Sequence, residues 1–445
     1  MKKTRPSFTH DSLLKIVKDS LQKSIDACGI TDKPVNNFSN IDCLMAGLAV
    51  FTFKFPSLLK FDETRQNETW ARKHLSQLFQ IESTPSDTHM RTRLDGISPE
   101  VLRFPFRKIF TLLQRGKVLE HYLFLNKYYL ISLDGTGVFS SPTVHCKNCC
   151  VKEHRDGRKT YYHQILGAAL VHPDQKVVIP LAPEPILKRD GAQKNDCERN
   201  AAKRWLDDFR REHPHLPTVI VEDGLSSNTP HIKELRKHNL RYLLGCKEGD
   251  HAYLADWVKA TDEEESPILK ETIQGVTHEY QCIKEVPLNG DKDAPVVTVI
   301  RYQETKQKTK KGPVKTTKWM WVTDLDVTPK NIREIVRGAR ARWHIENQTF
   351  NTLKNQGYEF EHNFGHGKQY LSHVFSMLMM LAFLIDQCLQ RLNKRFQGAL
   401  ERCGGKKYLW ERMLHSLYIF SFIPDFESLY EAIIHPPPVA LHPVA

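Results

Sequence analysis

The sequence predicts an α/β protein. A mixed sheet flanked by helices is preceded by a helical region and interrupted by a second, β-rich stretch. Two observations predict this. Apolar residues repeat at helical spacing up to about residue 125 and again after Pro329. Between these limits three β-rich runs come in succession, and β runs then alternate with helical segments, the pattern of a mixed sheet carrying helices.

The elements follow in order. Leu13, Leu14, Ile16, Val17 and Leu21 mark a first helix, and the apolar run Ile41 to Phe55 a second, ending before Pro56. Further helices are expected over Thr69 to Phe79 and Val101 to Leu113. Between them, Ser86 or Asp87 can cap a short helix carrying Arg91 and Arg93. This region, 1–125, reads as a helical bundle with a basic face or as a helix-turn-helix-like DNA reader, a candidate DNA-binding domain.

Strands are expected at Tyr128 to Leu133, Tyr161 to His172 and Val177 to Leu181. A helix follows from about Asn195 to His213, with Ala201, Trp205, Leu206 and Phe209 on one face. A strand at Thr218 to Val221, a short helix at Pro230 to His238 and a strand at Tyr242 to Leu244 complete a unit over 126–249. The β-rich stretch 250–328 holds strands at Thr277 to Ile283, Val296 to Tyr302 and Trp319 to Val322, with the lysine-rich run Lys306 to Lys318 as a solvated hairpin tip. A long helix through Ile332, Ile335, Val336, Trp343, Ile345, Phe350 and Leu353 and another over Leu371 to Leu392 make up 329–392. Residues 393–445 are expected to be helical with a flexible, proline-rich tail.

Composition limits the function. The chain has 445 residues, 40% of them hydrophobic and 26% charged, which excludes collagen-like and disordered classes. Its strongest apolar stretch, near Val374 to Ile385, is shorter than the roughly 20 residues a bilayer span needs, so no membrane partner is expected. No apolar run follows the basic N-terminus, and the 10 cysteines are scattered, as in a reduced, cytoplasmic protein. Lys and Arg number 64 against 52 Asp and Glu, and the net charge of +12 favours a polyanionic partner such as nucleic acid.

Two carboxylates are placed alike. Asp134 and Asp223 each follow an apolar β run and precede glycine. Meeting at the ends of neighbouring strands they would repel, unless a hard divalent cation such as Mg²⁺ or Mn²⁺ lay between them. The ordinary alternative is Asp-Gly turn chemistry. A third acid is Glu346 in Arg342-Trp343-His344-Ile345-Glu346, with Arg342 on the same helical face. Asp324 and Asp326 are its rivals.

This order of elements, with Asp, Asp and a late helical Glu, resembles the DDE transposases of insertion sequences. The likeness covers residues 126–392. It is closest to the branch whose RNase H-like core is interrupted by a β-rich insertion domain. That family's Glu motif is Tyr-x-x-Arg-x-x-x-Glu-x₆-Lys. Arg342 and Glu346 fit it, Ala339 stands at the Tyr position, Leu353 at the Lys position, and Lys354 is one residue late. The resemblance implies an enzyme that binds terminal inverted repeats on double-stranded DNA and performs metal-dependent strand cleavage and transfer into target DNA. It implies Mg²⁺, replaceable by Mn²⁺, held by Asp134, Asp223 and Glu346, and a homodimer in a nucleoid-associated DNA complex. Arg342 and Lys354 become candidate DNA contacts. So do Lys308, Lys310 and Lys311, by charge, and Trp319 and Trp321, which alternate in a strand and can stack on an extruded base. A nuclease or resolvase of the same fold, and a catalytically inactive DNA-binding descendant, are the competing readings.

A second constellation is His145-Cys146-Lys147-Asn148-Cys149-Cys150, with His154 and His163 nearby. Cys146 and Cys149 have zinc-knuckle spacing, and Cys150 with one histidine is expected to complete a Zn²⁺ site; incidental thiols at a hairpin tip are the plainer reading. Phe364-Gly365-His366-Gly367-Lys368 reads as a Gly-rich helix cap or as a contact to a DNA end.

Overall fold

The computed structural model describes residues 7–437 apart from 33–37, 189–196, 262–263, 265 and 308–313. Lys308, Lys310, Lys311 and the tail beyond 437 lie outside the described residues.

Among the described residues, the N-terminal region up to Arg115 is built of helices. It holds α1 (His10–Ala27), α2 (Asn40–Thr52), α3 (Leu58–Asn67), α4 (Thr69–Leu78), α5 (Asp87–Asp95) and α6 (Arg103–Arg115). The α2 helix is apolar all round and buried along its whole length, as such a helix must be. Its start is fixed by a reciprocal capping box between Ser39 and Asp42. Ser86 caps α5 through the backbone N–H of His89. The α3 helix carries only Leu58, Phe61 and Thr64 as buried residues, too weak a periodicity to predict.

The strands form one 11-stranded sheet. They are β1 (Leu123–Phe124), β2 (Tyr128–Ser141), β3 (Cys150–Glu153), β4 (Lys159–His172), β5 (Gln175–Ile186), β6 (Thr218–Glu222), β7 (Arg241–Cys246), β8 (Leu269–Ile273), β9 (Val276–Pro287), β10 (Val296–Gln307) and β11 (Val314–Thr323). The path is β3-β4-β2-β6-β7-β11-β10-β9-β8, with β1 on β2 and β5 on β4. Among the described residues, only β2–β6 and β6–β7 are parallel. The helices α7 (Glu198–Glu212) and α8 (Thr229–Lys237) supply these two parallel crossovers, and α9 (Ala252–Ala260) follows β7. The β-rich stretch is not a sheet of its own: β11 pairs with β7 from Met320–Cys246 to Thr323–Leu243.

The helix expected after Pro329 is interrupted. Helix α10 (Ile332–Arg340) stops, a π-helical turn spans Ile345–Phe350, and α11 (Asn351–Asn355) completes the segment. Trp343, expected on the apolar face, is 49% exposed, with the Arg342 guanidinium over its ring.

Helix α12 (Leu371–Leu392) is longer than the apolar stretch read from sequence, and is long and apolar enough to cross a membrane. It is the centre of the core instead, buried along 94% of its most apolar window and packed on β5, α2 and α5. Met377, Met379 and Met380 are packing residues within it. The last described helices are α13 (Lys394–Cys403), α14 (Lys406–Ile419) and α15 (Phe426–Ile434). A single cluster of buried apolar residues runs from Leu13 to Ile433 through helices and sheet alike.

Candidate active site

Asp134 lies within β2, not in a turn after it, opposite Gly167 of β4. The turn reading of Asp134-Gly135 therefore fails. The parallel ladder between β2 and β6 ends at Ser132–Val221, and Asp134 and Asp223 each lie two residues further on. Parallel register brings them level at the carboxyl end of the parallel pair, where open α/β sheets bind ligands. Asp223 accepts from the backbone N–H of Leu225 at 3.0 Å and so caps the short turn that follows β6. Both aspartates line a cleft of about 450 Å³, together with Glu198, Glu222, Tyr162 and Gln164.

Glu346 comes from the π-helical turn, which packs over β2, β4 and β5; it approaches Asp134 but does not itself line that cleft. Arg342 links the acids: its guanidinium lies 2.8 Å from Glu346 and 3.6 Å from Asp134. Phe350, at the end of the turn, seats on Gly167. A Cβ on Gly167 would stand 2.7 Å from the Phe350 ring. Gly167 pairs with Asp134, and directly paired residues share a face of the sheet. The missing side chain beside Asp134 is thus what admits the turn bearing Glu346.

Electrostatically this is a carboxylate cluster. Burial pushes Asp134 up to about 7; Arg342 opposes the shift, and Glu346, Glu198 and Asp223 add to it. Glu198, the first residue of α7, is raised by burial and then by Asp223 and Glu222. Its carboxylate lies against Gly135, where any Cβ would overlap it. Glu222 is buried and held by His231 at 2.6 Å. These carboxylates are near enough to shift one another, with Arg342 as the cation beside them, but no three of their oxygens lie within 4.8 Å of one another, so a hard divalent cation would have to draw them closer. Glu198 carries no sequence signal, since it merely opens an amphipathic helix.

The rival acids go elsewhere. Asp324 accepts from the Tyr242 N–H and from Arg241, both 3.1 Å away, at the start of β7 and so at the opposite end from Asp223. Asp326 is exposed and pairs with Lys284.

Among the predicted DNA contacts, Lys354 sits on α11 with its ammonium 2.8 Å from Glu361, while Leu353 is fully buried. Trp319 is half-buried, stacked on Tyr302 at 5.2 Å with Arg340 over it at 4.9 Å. It borders a groove of about 470 Å³ with Tyr280, Arg301 and Lys318. Trp321 is only 6% exposed and belongs to the core. Arg91 is exposed and pairs with Asp87 on α5; Arg93 lies on the same helix.

The cysteine cluster forms as expected with Cys146, Cys149 and one nearby histidine, His163, but its fourth member is His366 in place of Cys150. Cys146 and Cys149 converge with His163 of β4 and His366. Cys150 is not in the group, because it pairs with Tyr162 in the β3–β4 ladder. Its side chain shares Tyr162's face, and strand alternation turns His163 to the other. The Gly-flanked His366 segment leads into α12, where Asp95 caps the helix by accepting from the backbone N–H groups of Lys368, Gln369, Tyr370 and Leu371.

No protein-family model matches the chain, and no curated protein matches it.

Proposed function

We propose that the chain is a DNA transposase of the DDE type, cutting at terminal inverted repeats and joining the resulting ends to target DNA. One observation supports this reading: two aspartates lie level on neighbouring parallel strands, and Arg342 links one of them, Asp134, to a glutamate from a late helix. Asp134, Asp223 and Glu346 would hold Mg²⁺ or Mn²⁺, which when bound supplies Lewis-acid activation and charge neutralisation for in-line displacement at phosphorus. The chain's own residues do the positioning. Arg342 holds Glu346 against Asp134, and Phe350 on Gly167 fixes the turn's height above the strand. The groove bordered by the half-buried Trp319 offers the cations of Arg301 and Lys318 to the phosphates of an unpaired strand, and a base could stack on Trp319 only by displacing the Arg340 guanidinium that covers its ring.

The π-helical turn also supports the family likeness. Such a turn accommodates one residue more than a regular helical turn. Lys354, one position late in the family's Glu motif, is thereby returned to the face a lysine seven residues after the glutamate would have, while Leu353 turns into the core.

The test is a labelled terminal-repeat duplex incubated with wild type and with Asp134→Ala, Asp223→Ala and Glu346→Ala. Binding is read by gel shift, nicking and joining by denaturing gel. Each variant should bind DNA and lose both chemical steps with Mg²⁺ or Mn²⁺, while Ca²⁺ should support wild-type binding without cleavage. Nicking without joining by the wild type would favour a nuclease or resolvase. Wild-type cleavage by all three variants would sink the reading.

A further inference from the structure

We propose that Cys146, Cys149, His163 and His366 bind one Zn²⁺ ion, forming a clip between the loop joining β2 to β3 and the segment that enters α12. The ligand atoms of all four residues lie within 4.8 Å of one another. The two Sγ atoms are 3.9 Å apart. Nε2 of His163 lies 3.5 Å from Cys146 Sγ and 3.4 Å from Cys149 Sγ, and Nε2 of His366 lies 3.2 Å from Cys149 Sγ. A tetrahedral ion with Zn–S near 2.3 Å and Zn–N near 2.05 Å requires S···S of about 3.8 Å and S···N of about 3.6 Å. The observed spacings are those of ligands around a common centre. They are far too long for a disulfide, whose sulfurs lie about 2.05 Å apart.

The surroundings fit a structural site. Cys149, His163 and His366 are buried and Cys146 is partly so. Nδ1 of His366 lies 2.9 Å from the carbonyl of Gly367, the outer hydrogen bond that orients an imidazole to present Nε2 to a metal. Gly367 has φ +69°, and a Cβ there would collide with Leu371 and the Asp95 cap, so only glycine lets the chain turn after His366. The loop is tied to the same segment a second time by Asn148, which donates to the carbonyl of Gln369 at 2.9 Å. Thiolate and imidazole donors select zinc over magnesium, so this centre and the carboxylate cluster sort the two metals by chemistry. Cys149 and His366 are 217 residues apart in sequence, so the clip fastens the two ends of the sheet-bearing region.

Protein purified without chelators should contain about one equivalent of zinc per chain by mass-spectrometric metal analysis. His366→Ala and Cys149→Ser should lose it, and Cys150→Ser and Asp134→Ala should keep it. Because a ligand variant can simply misfold, the wild type supplies two further readouts. Mercurial titration of its thiols should release zinc stoichiometrically. Co²⁺ exchange should give the visible bands of a tetrahedral ion with thiolate charge transfer. Full zinc in folded His366→Ala, a wild type that neither retains zinc nor takes up Co²⁺, or a Cys146–Cys149 disulfide in protein kept reduced would each overturn the clip.

Discussion

At the residue scale, the site depends on two glycines as much as on its acids. Gly135 makes room for Glu198, and Gly167 makes room for Phe350. Gly167→Ala changes no ionisable group, yet its Cβ would press the ring that ends the Glu346 turn. The ring is 5% exposed and has little room to give. Displacing a positioned group by a fraction of an ångström to one ångström costs on the order of 10- to 100-fold in rate. If the proposed function holds, Gly167→Ala should therefore slow strand cleavage by that factor with DNA-end binding unchanged, measured by single-turnover nicking and gel shift on the same preparation. A wild-type rate would show that Phe350 does not set the height of Glu346. Asp134, Asp223 and Glu346 drew attention in the sequence because a run of β-formers ends directly before Asp134, another ends one residue short of Asp223, and an Arg precedes the Glu by one helical turn. Glu198 and the two glycines were not legible. Their importance arises from strand register and from where a distant helix starts, neither of which leaves a local pattern.

At the element scale, the sheet's inner strands and α12 were readable from apolar runs alone. The break between α10 and α11 was not, because the residues keep helical periodicity through it while the backbone inserts a π-helical turn. The cysteine loop shows the same limit: Cys-x-x-Cys marks half a metal site and His163 was within view of it, but the strand pairing that turns Cys150 away and the distant segment that brings His366 in its place are non-local. The end of α7 gives a pH prediction. His213 caps the helix with its ring 4.7 Å from Phe110 and 5.2 Å from Phe209. A helix C-terminus favours imidazolium, but burial wins, assisted by Arg107 and Arg210, and lowers His213 to about 4. The unfolded chain, titrating near 6.5, then binds more protons than the folded one between pH 6.5 and 4. The stabilisation is complete above pH 6.5 and is lost as pH falls through that window, amounting to about 2 kcal/mol by pH 5. His213→Phe should flatten the fall in urea midpoint between pH 7 and pH 5 relative to wild type. An unchanged pH dependence would show that His213 remains charged in the fold.

At the scale of the whole molecule, an ion pair joins regions that the sequence presents as separate. Lys54, just past α2, places its ammonium 2.7 Å from Asp386 in the middle of α12, and both side chains are almost wholly buried. Tyr358, which follows α11, donates to the same carboxylate at 2.5 Å. The Lys54 ammonium also stands over the rings of Tyr358 and, from α14, Trp410, at 4.3 and 4.2 Å. Burial lowers the Lys54 pKa, and the Asp386 carboxylate opposes that shift. Composition cannot reveal such a pair, because a Lys and an Asp 332 residues apart look like two solvated side chains. Removing one partner strands the other charge, which typically costs 3–5 kcal/mol, whereas replacing both by apolar residues of similar volume is often near neutral. Asp386→Ala should therefore lower stability by about 3–5 kcal/mol, and Lys54→Met with Asp386→Leu should recover most of that loss. Because one apolar core runs from Leu13 to Ile433, the destabilisation should reach the N-terminal helices and the sheet together. Urea unfolding followed by far-UV circular dichroism and by protease resistance of the region before residue 125 checks both points. A transition confined to the N-terminal helices, with the remainder unshifted, would mean that this region folds as a unit of its own, docked onto α12 by a pair it does not need.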